Sequence, residues 1–387
     1  MRRPLDGGPE TVAQSKARRL MHMRRSLPYV SSSALASILS YQRSNDTSDL
    51  PCSRPSIKSA TSSSLPDTPY GSMLVKSSLV CKPPTPNRDI TLVNPFAYLY
   101  VMFKHGGGFF EMFSRELLEH PCSPAQPWRL AFYGDEITPG NALDPQNNRK
   151  SWALYFSLLE FDEYIHAEEA WCPITVEPAK GLKNANAGVS QLFAVALKHF
   201  FGDLGHDFST SGMRRVGPDG STVRIWAETA MFIMDGAAHK LLWGCKGDKG
   251  PRCCMLCKNI VSYESNLTGE DNTRLLIVPL ANECDLQAAT DADIRASVSR
   301  LSAVKLTETV GDYKRWEQTI GFSLTDGNII MDPVLKHHVK PATHYCHDWM
   351  HGLVSNGVAD VVVFQFIFAV SEHDKDVWDR LGGYCNT

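Results

Sequence analysis

The chain has 387 residues, of which 43% are hydrophobic and 21% are charged, and its formal net charge at pH 7 is −3. These values are typical of a globular protein of two or three domains and exclude a wholly disordered chain or a uniformly basic nucleic-acid-binding protein. Neither an apolar signal segment nor an uninterrupted apolar run of about 18 residues occurs, so we expect a soluble intracellular protein without a membrane partner.

The first 90 residues are rich in Ser, Pro, Thr and Arg and contain few regularly spaced apolar positions. This composition predicts a mostly disordered tail with one short helix near residues 31–43. The first 25 residues contain seven Arg or Lys and two acids, a local excess of five positive charges. We interpret this basic start as a solvated arm or, alternatively, as a nuclear-import or DNA-backbone-binding segment.

Two apolar helices are expected in residues 91–125, separated by the glycines of "HGGGFF" at 105–110. From residue 126 onward, apolar runs rich in aromatic and β-branched residues and bounded by Pro, Asn and Gly predict strands. Apolar residues at a helical period predict one further helix among them. The predicted elements, in chain order, are strands over 128–135, 151–161 and 170–178, a helix over 188–201, and a strand that ends at Asp235.

Asp135 ends the first predicted strand and Asp235 ends the fourth. Neighbouring strands of a sheet lie about 4.8 Å apart, so if these two strands are adjacent, their carboxylates can share a divalent cation. Oxygen ligands favour Mg²⁺ or Mn²⁺, and two such ions activate a water or a 3′-hydroxyl for phosphoryl transfer. The alternative is that each Asp caps a turn at the end of its strand.

Pairs of cysteines and histidines with zinc-ligand spacing occur in two distant segments. Cys254 and Cys257 form a CxxC, and His347 and His351 stand four residues apart in "THYCHDWMHGL". On a helix this spacing places both imidazoles on one face, with His344 on the same side. Cysteines in a reducing compartment are more often thiols or metal ligands than disulfides, so we predict a shared structural Cys₂His₂ zinc site. The alternative cysteine ligands are Cys245 and Cys253.

Together these blocks resemble the RNase H-like DDE transposases of eukaryotic cut-and-paste elements, notably the CACTA and Plavaka-type groups. The blocks are "FYGDEITPGNALDPQNNRKSWALYFSLLEF", "MFIMDGAAHKLLWGCKGDKGPRCCMLC" and "HYCHDWMHGLVSNGV", all within residues 126–358. The resemblance implies an α/β fold with an RNase H-like mixed sheet. In that fold the first Asp ends the first strand, the second Asp ends the fourth, and the CxxC and HxxxH complete a zinc site.

The resemblance also implies a third metal-binding acid, a Glu on a later helix. Glu372 is the sole Glu after the His pair; otherwise we expect the third acid in a C-terminal segment beyond residue 387. The implied activity is cleavage and transfer of DNA strands, with Mg²⁺ or Mn²⁺ at Asp135 and Asp235 and a structural Zn²⁺. The implied partner is double-stranded DNA of the transposon ends and target, in the nucleus, with a homo-oligomer as one option.

The predicted organisation is a disordered tail over 1–90, a helical lead-in over 91–125, an RNase H-like core with the CxxC over 126–258, a helical insertion over 259–336, and the HxxxH zinc helix with the start of an incomplete C-terminal core half over 337–387. A basic cluster around the CxxC is a candidate for phosphate contacts. Its members are Lys240, Lys246, Lys249, Arg252 and Lys258. The alternative is that this cluster keeps a zinc loop soluble.

Two other functions are open on sequence alone. The first is a catalytically dead or domesticated transposase fragment that acts as a zinc-stabilised DNA- or protein-binding module. The second is an HD-type metal phosphohydrolase built on His347 and Asp348, for which an almost entirely helical domain is expected. The β-rich pattern of residues 126–235 opposes the second alternative.

Overall fold

The computed structural model describes residues 68–138, 150–202, 204–217, 219–247, 250–252, 254–258, 260–261, 275–276 and 287–347, with short stretches before residue 68, chiefly 32–44. The chain divides into two units, Met1–Met73 and Leu74–Thr387. In the first unit, helix α1 (Ser32–Ser44) buries Leu35 and Leu39 in a small cluster with Leu20. The short helix predicted near residues 31–43 is therefore confirmed.

An antiparallel hairpin begins the second unit. Strand β1 (Leu74–Leu79) pairs with β2 (Arg88–Val93), and Leu79 and Leu92 are fully buried. The hairpin lies mostly inside the segment predicted as a disordered tail, so the predicted tail boundary at residue 90 is wrong. Side chains along the two strands alternate between more buried and more exposed positions, as is typical of a strand with one face on the core. The many Ser, Lys and Pro residues of this segment make the alternation difficult to recognise in the sequence.

Two helices follow, α2 (Pro95–His105) and α3 (Gly108–Glu119), as predicted for the lead-in. Asn94 starts α2, because its side-chain oxygen accepts hydrogen bonds from two backbone N–H groups of the first turn. The break falls at Gly106 and Gly107, where the backbone has φ values of 73° and 81°. Such values favour glycine, which explains why the two helices are separated here.

A five-stranded mixed sheet forms the centre of the second unit. Its strands are β3 (Trp128–Ile137), β4 (Ser151–Leu158), β5 (Cys172–Pro178), β8 (Ala227–Met234) and β11 (Tyr345–His347). Their spatial order is β11–β8–β3–β4–β5. β4 is antiparallel to β3 and β5, whereas β3, β8 and β11 run parallel. The first four agree with predicted strands, and the α/β class with a mixed sheet is confirmed.

The other elements of the second unit surround this sheet. The remaining strand pairs are β6 (Met213–Val216) with β7 (Thr222–Ile225), and β9 (Ile260–Val261) with β10 (Leu275–Leu276). The remaining helices are α4 (Ala179–Leu182), α5 (Gly188–Lys198), α6 (Gly236–Trp243), α7 (Asp291–Thr307) and α8 (Val310–Ile320). Thr290 and Asp293 form a capping box at the start of α7. α7 and α8 confirm the helical character predicted within the segment after the CxxC.

Helix α5 and the residues after it cover one face of the sheet with aromatic rings. Phe200 packs edge-on against Phe132 and Phe156, with ring centroids 5.2 and 5.0 Å apart. Phe193 lies so close to Gly134 of β3 that a β-carbon at this glycine would stand 2.6 Å from the ring. Gly134 therefore faces α5, and its missing side chain allows the helix to approach the sheet.

The segment predicted as an HxxxH helix begins as a strand. Tyr345, Cys346 and His347 form β11, which pairs in parallel with Phe232–Met234 of β8. The prediction that His347 stands on a helix is therefore wrong. The outer edge of β8 offers backbone N–H and C=O groups, and pairing with them holds these residues extended. A spacing of four residues between histidines does not by itself distinguish a helix from a strand followed by other structure.

Two features of the fold bear on the class of protein. Within the described residues, no helix is both long enough and apolar enough to span a membrane. The five-stranded sheet is at odds with the almost entirely helical domain expected for an HD-type phosphohydrolase, so that alternative loses its structural basis.

Replacement of Gly134 with Ala is expected to destabilise the fold, because the new β-carbon overlaps the Phe193 ring and lies 3.3 Å from Cε of Met234. Overpacking of a dense core costs about 1–3 kcal/mol, which urea unfolding measures. The control is Gly108→Ala in the first turn of α3, where a β-carbon has no neighbouring atom within 4 Å. Equal unfolding free energies for the two variants would contradict the close approach of α5.

Candidate functional site

Asp135 and Asp235 lie at the same edge of the sheet, on adjacent parallel strands. The last paired residues of β3 and β8 are Tyr133 and Ile233, and each aspartate follows two residues later. The adjacency on which a shared cation depends is therefore present. Strand β3 continues past Asp135 to Ile137 in its pairing with β4, so the strand does not end at this aspartate as predicted.

A bulge in β8 sets the two aspartates level with each other. The pairing between β3 and β8 shifts by one residue after Leu130, and Ala230 is left over. Because side chains alternate between the faces of a strand, the extra residue changes both the level and the face of everything that follows it. It brings Asp235 opposite Asp135; without it, Asp135 would stand opposite Met234.

The two carboxylates share the face of the sheet that is turned away from α5. The residues before them, Gly134 and Met234, face α5, and neighbouring residues of a strand point to opposite faces. Both aspartates are half-buried, and the Tyr133 hydroxyl donates a long hydrogen bond of 3.4 Å to Oδ2 of Asp135. Carboxylates on one face of adjacent strands that are still reachable from solvent suit a divalent cation.

Asp235 has a second role as the residue that begins helix α6. Its Oδ1 accepts a hydrogen bond from the backbone N–H of Ala238, as an N-cap residue does. This contact agrees with the alternative that an Asp caps the turn at a strand end. A carboxylate has two oxygen atoms and several lone pairs, so the cap leaves acceptor capacity for a cation.

Helix α6 holds the last strand through His239. The buried ring of His239 stacks on Tyr345 at a centroid distance of 3.7 Å. Trp243 Nε1 donates to Nδ1 of this ring over 3.1 Å, so its Nε2 carries the proton and donates to the Cys346 carbonyl over 2.9 Å. These contacts fix the backbone of His347, at the end of β11, beside β8.

The segment between α6 and the CxxC is attached to the end of α8. Cys245 forms an antiparallel bridge with Phe322. Arg252 is 5% exposed, and its guanidinium donates to the carbonyl oxygens of Cys257 and Ile320. Buried backbone carbonyls need such donors, so Arg252 fixes the CxxC loop against the helical segment 310–320.

The described cysteines form no disulfide, and two of them interact electrostatically with Tyr345 of β11. Burial raises the pKa of the Cys245 thiol to about 11, and Cys254 contributes to the increase. Burial also raises the pKa of the Tyr345 hydroxyl, and Cys245, Cys254 and Asp235 each add a smaller increase. The CxxC loop and the second aspartate therefore both influence this tyrosine.

Most described members of the predicted basic cluster bind other residues of the chain. Lys246 pairs with Glu317 and Lys258 pairs with Asp293, at N–O distances of 3.7 and 2.8 Å. The phosphate contact predicted for Arg252 is wrong, because this side chain is buried and binds backbone carbonyls. Lys240 is half-buried with its stem against Gly247. The predicted site residues outside the described part are His351, Glu372, Lys249, Cys253 and the side chain of His347.

One group of three potential metal ligands comes together within the part of the chain that the structure describes, and it was not predicted. Glu116, Glu119 and His120 place ligand atoms within 4.8 Å of one another at the end of α3. The His120 carbonyl accepts a hydrogen bond from Trp128, so this group lies at the start of β3, far along the strand from Asp135. It is therefore separate from the two aspartates and the CxxC.

Two rings at the aspartate edge, His239 and Tyr345, are missed by the sequence analysis. A signal for the first was present, because His239 and Trp243 are four residues apart in the helix after Asp235 and so share one face. Comparison with models of known protein families and with curated proteins finds no match to this chain. Its function is therefore inferred from the fold and from the groups assembled at this edge.

Stability is expected to decrease as the pH falls from 6.5 towards 4, partly through His344. Burial, assisted by the charge of Lys340, lowers the pKa of the His344 imidazole from 6.5 to about 4. Below pH 6.5 the unfolded chain binds a proton at this imidazole, whereas the folded chain binds it only near pH 4. The stability that His344 contributes above pH 6.5 is therefore lost as the pH falls towards 4. The contribution of this residue is about 2–3 kcal/mol.

Urea unfolding at several pH values checks this expectation. His344→Gln removes the titrating group, so its unfolding free energy should change less between pH 6.5 and pH 4 than that of the wild type. The exposed His337 provides the control, since His337→Gln should keep the wild-type slope. A His344→Gln slope equal to that of wild type would contradict the burial argument.

Proposed function

We propose that this chain contains an RNase H-like domain of a DDE-type transposase, which performs metal-dependent cleavage and transfer of DNA strands. The observation that carries the proposal is the position of Asp135 and Asp235, opposite each other at one sheet edge and on one face. Paired carboxylates in this placement favour Mg²⁺ or Mn²⁺.

The order of the strands supports the same proposal. In the family that the sequence resembles, the first Asp belongs to the first strand of the sheet and the second Asp ends the fourth. Here β3 and β8 are the first and fourth strands of the five-stranded sheet in chain order. The pairing of β11, which ends at His347, with β8 and the electrostatic influence of Cys254 on Tyr345 of β11 support a zinc site beside the aspartates. The proposed zinc ligands are Cys254, Cys257, His347 and His351.

Asp135 and Asp235 would hold the divalent ions, which would supply activation of a water or a 3′-hydroxyl and stabilisation of the leaving oxygen. The residues of the chain provide the oxygen ligands and orient them. Asp135 is oriented by the Tyr133 hydroxyl, and Asp235 by the N–H of Ala238. Both remain half-buried, so a phosphodiester can approach from solvent. Glu372 is the proposed third acid.

Double-stranded DNA of the transposon ends and target is the proposed partner, and the nucleus is the proposed location. DNA binding through the backbone is sequence-independent and sensitive to salt. A homo-oligomer is compatible with this function.

A second candidate is a catalytically dead or domesticated form, which binds DNA or protein through the same zinc-stabilised domain. The observation that favours it is the N-cap contact of Asp235, which gives this acid a role without a metal ion. The two candidates differ in whether DNA is cleaved.

Nuclease activity with Mn²⁺ separates these candidates. Asp135→Asn and Asp235→Asn are each expected to reduce cleavage of a DNA substrate at least about a hundredfold, because each removes a charge that stabilises the reacting groups. Asn is also a good N-cap residue, so Asp235→Asn removes the charge and keeps the start of α6. Glu228→Gln is the matched control, because this acid is exposed near the start of β8, at the opposite end of the strand from Asp235. An inactive wild type would favour the binding module, and equal activity in all variants would show that the cleavage does not depend on Asp135 and Asp235.

Zinc content per chain tests the structural metal site. We expect one zinc in the wild type, lost both in Cys254→Ser/Cys257→Ser and in His347→Ala/His351→Ala, because tetrahedral zinc needs all four ligands. The exposed pair His105 and His166 serves as the control, since its double Ala variant should retain the metal. Zinc lost only from the cysteine variant would indicate a local site, and a zinc-free wild type would overturn the proposed centre.

A further inference from the structure

A cavity of about 440 Å³ lies at the aspartate edge, on the face of the sheet that α5 covers. Its walls come from the ends of β3 and β4, from α4, from the start of α5, from α6 and from the segment after α8. Glu136, the residue after Asp135, lines the cavity. Lys240 also lines it, about one and a half helical turns after Asp235 in α6. The cavity and the two aspartates therefore lie on opposite faces of the same sheet edge.

The charged side chains of this cavity are predominantly basic. Lys82, Lys183 and Lys240 line it together with one acid, Glu136. Glu136 is already paired with Lys150, with Nζ and Oε1 2.7 Å apart. The cavity therefore carries a local positive charge on a chain whose net charge is −3, and this charge attracts an anionic ligand.

The backbone at the start of α5 adds to the positive charge of the cavity. Gly188 and Val189 line the cavity, and they form the first turn of this 11-residue helix. The N-terminus of a helix carries a partial positive charge that attracts phosphate, and this contribution is electrostatic here, because the N–H groups of Gly188 and Ser190 already donate to the carbonyl oxygens of Ala185 and Ala187. No acidic side chain occurs in that first turn. The helix end and the three lysines therefore both favour an anionic ligand.

We propose that this cavity binds a backbone phosphate of the DNA strand that flanks the scissile phosphate, an inference that rests on the proposed function. A strand that presents one phosphate to the aspartates and crosses the sheet edge brings a neighbouring phosphate to the opposite face. Lys82 and Lys183 are exposed at the rim. An extended strand reaches such a rim, whereas a free nucleotide needs a site that encloses most of its surface. Lysine binds phosphate without reading the base, so this contact positions DNA without adding specificity.

Fluorescence anisotropy of a labelled DNA oligonucleotide, titrated at several salt concentrations, tests the inference. The test variant is Lys82→Gln/Lys183→Gln. The matched control is Lys76→Gln/Lys180→Gln, which removes the same charge from the hairpin and from α4 at exposed positions outside the cavity. Each phosphate contact contributes about 0.9 to the slope of log affinity against log salt. The test variant should therefore lose about one unit of slope and about tenfold or more in affinity, and the control should match the wild type.

The outcomes separate this inference from the proposed function. Equal affinities and slopes for the two double variants, or no binding by the wild type, would overturn the phosphate site, whatever Asp135→Asn does to cleavage. Loss of binding in the test variant alone would support the site even if the wild type failed to cleave DNA. Inorganic phosphate and a mononucleotide are titrated in parallel by calorimetry. Tight mononucleotide binding that needs Lys82 and Lys183, with unchanged oligonucleotide binding, would overturn the strand contact in favour of a nucleotide pocket.

Discussion

The parallel pairing of β3 with β8 is the constraint on which the rest of the site depends. Its register is held by backbone hydrogen bonds and by Phe132 stacked on Phe232, with centroids 5.5 Å apart. The bulge at Ala230 then determines whether the two aspartates share a face, because a shift of one residue would turn one of them to the other face. Bulges often occur where a strand must redirect a side chain, and here the redirected side chain is Asp235.

Asp235 connects this sheet to the rest of the site, because the same residue ends a strand and caps α6. The short helix then ends at Gly244, whose φ of 68° turns the chain toward its bridge with the segment after α8. His239 of α6 holds β11 from the other side. Three segments that are distant in sequence are thus joined around α6, and a displacement of this helix would move the second aspartate, the CxxC loop and β11 together.

The sequence predicts local structure well and assembly less well. The apolar runs identify β3, β4, β5 and β8, and the signal is clear in β4, where burial on both faces leaves few polar positions. Strand pairing and the bulge at Ala230 are long-range features that no local pattern encodes. The helix predicted at His347 fails for the same reason, because edge pairing with β8 determines its conformation. The need for glycine at position 134 is also long-range, because the ring of Phe193 leaves no room for a side chain there.

Positive charge is also distributed differently in space and in sequence, and this bears on the proposed binding of DNA by a chain of net charge −3. The basic residues that are contiguous in sequence around the CxxC are largely engaged, with Lys246 and Lys258 in ion pairs and Arg252 buried. Lys82 and Lys183 are about a hundred residues apart in sequence, yet they line one cavity. Binding of a polyanion depends on where positive charges converge in space. The cavity at the aspartate edge is therefore a better candidate for a phosphate contact than the basic cluster around the CxxC.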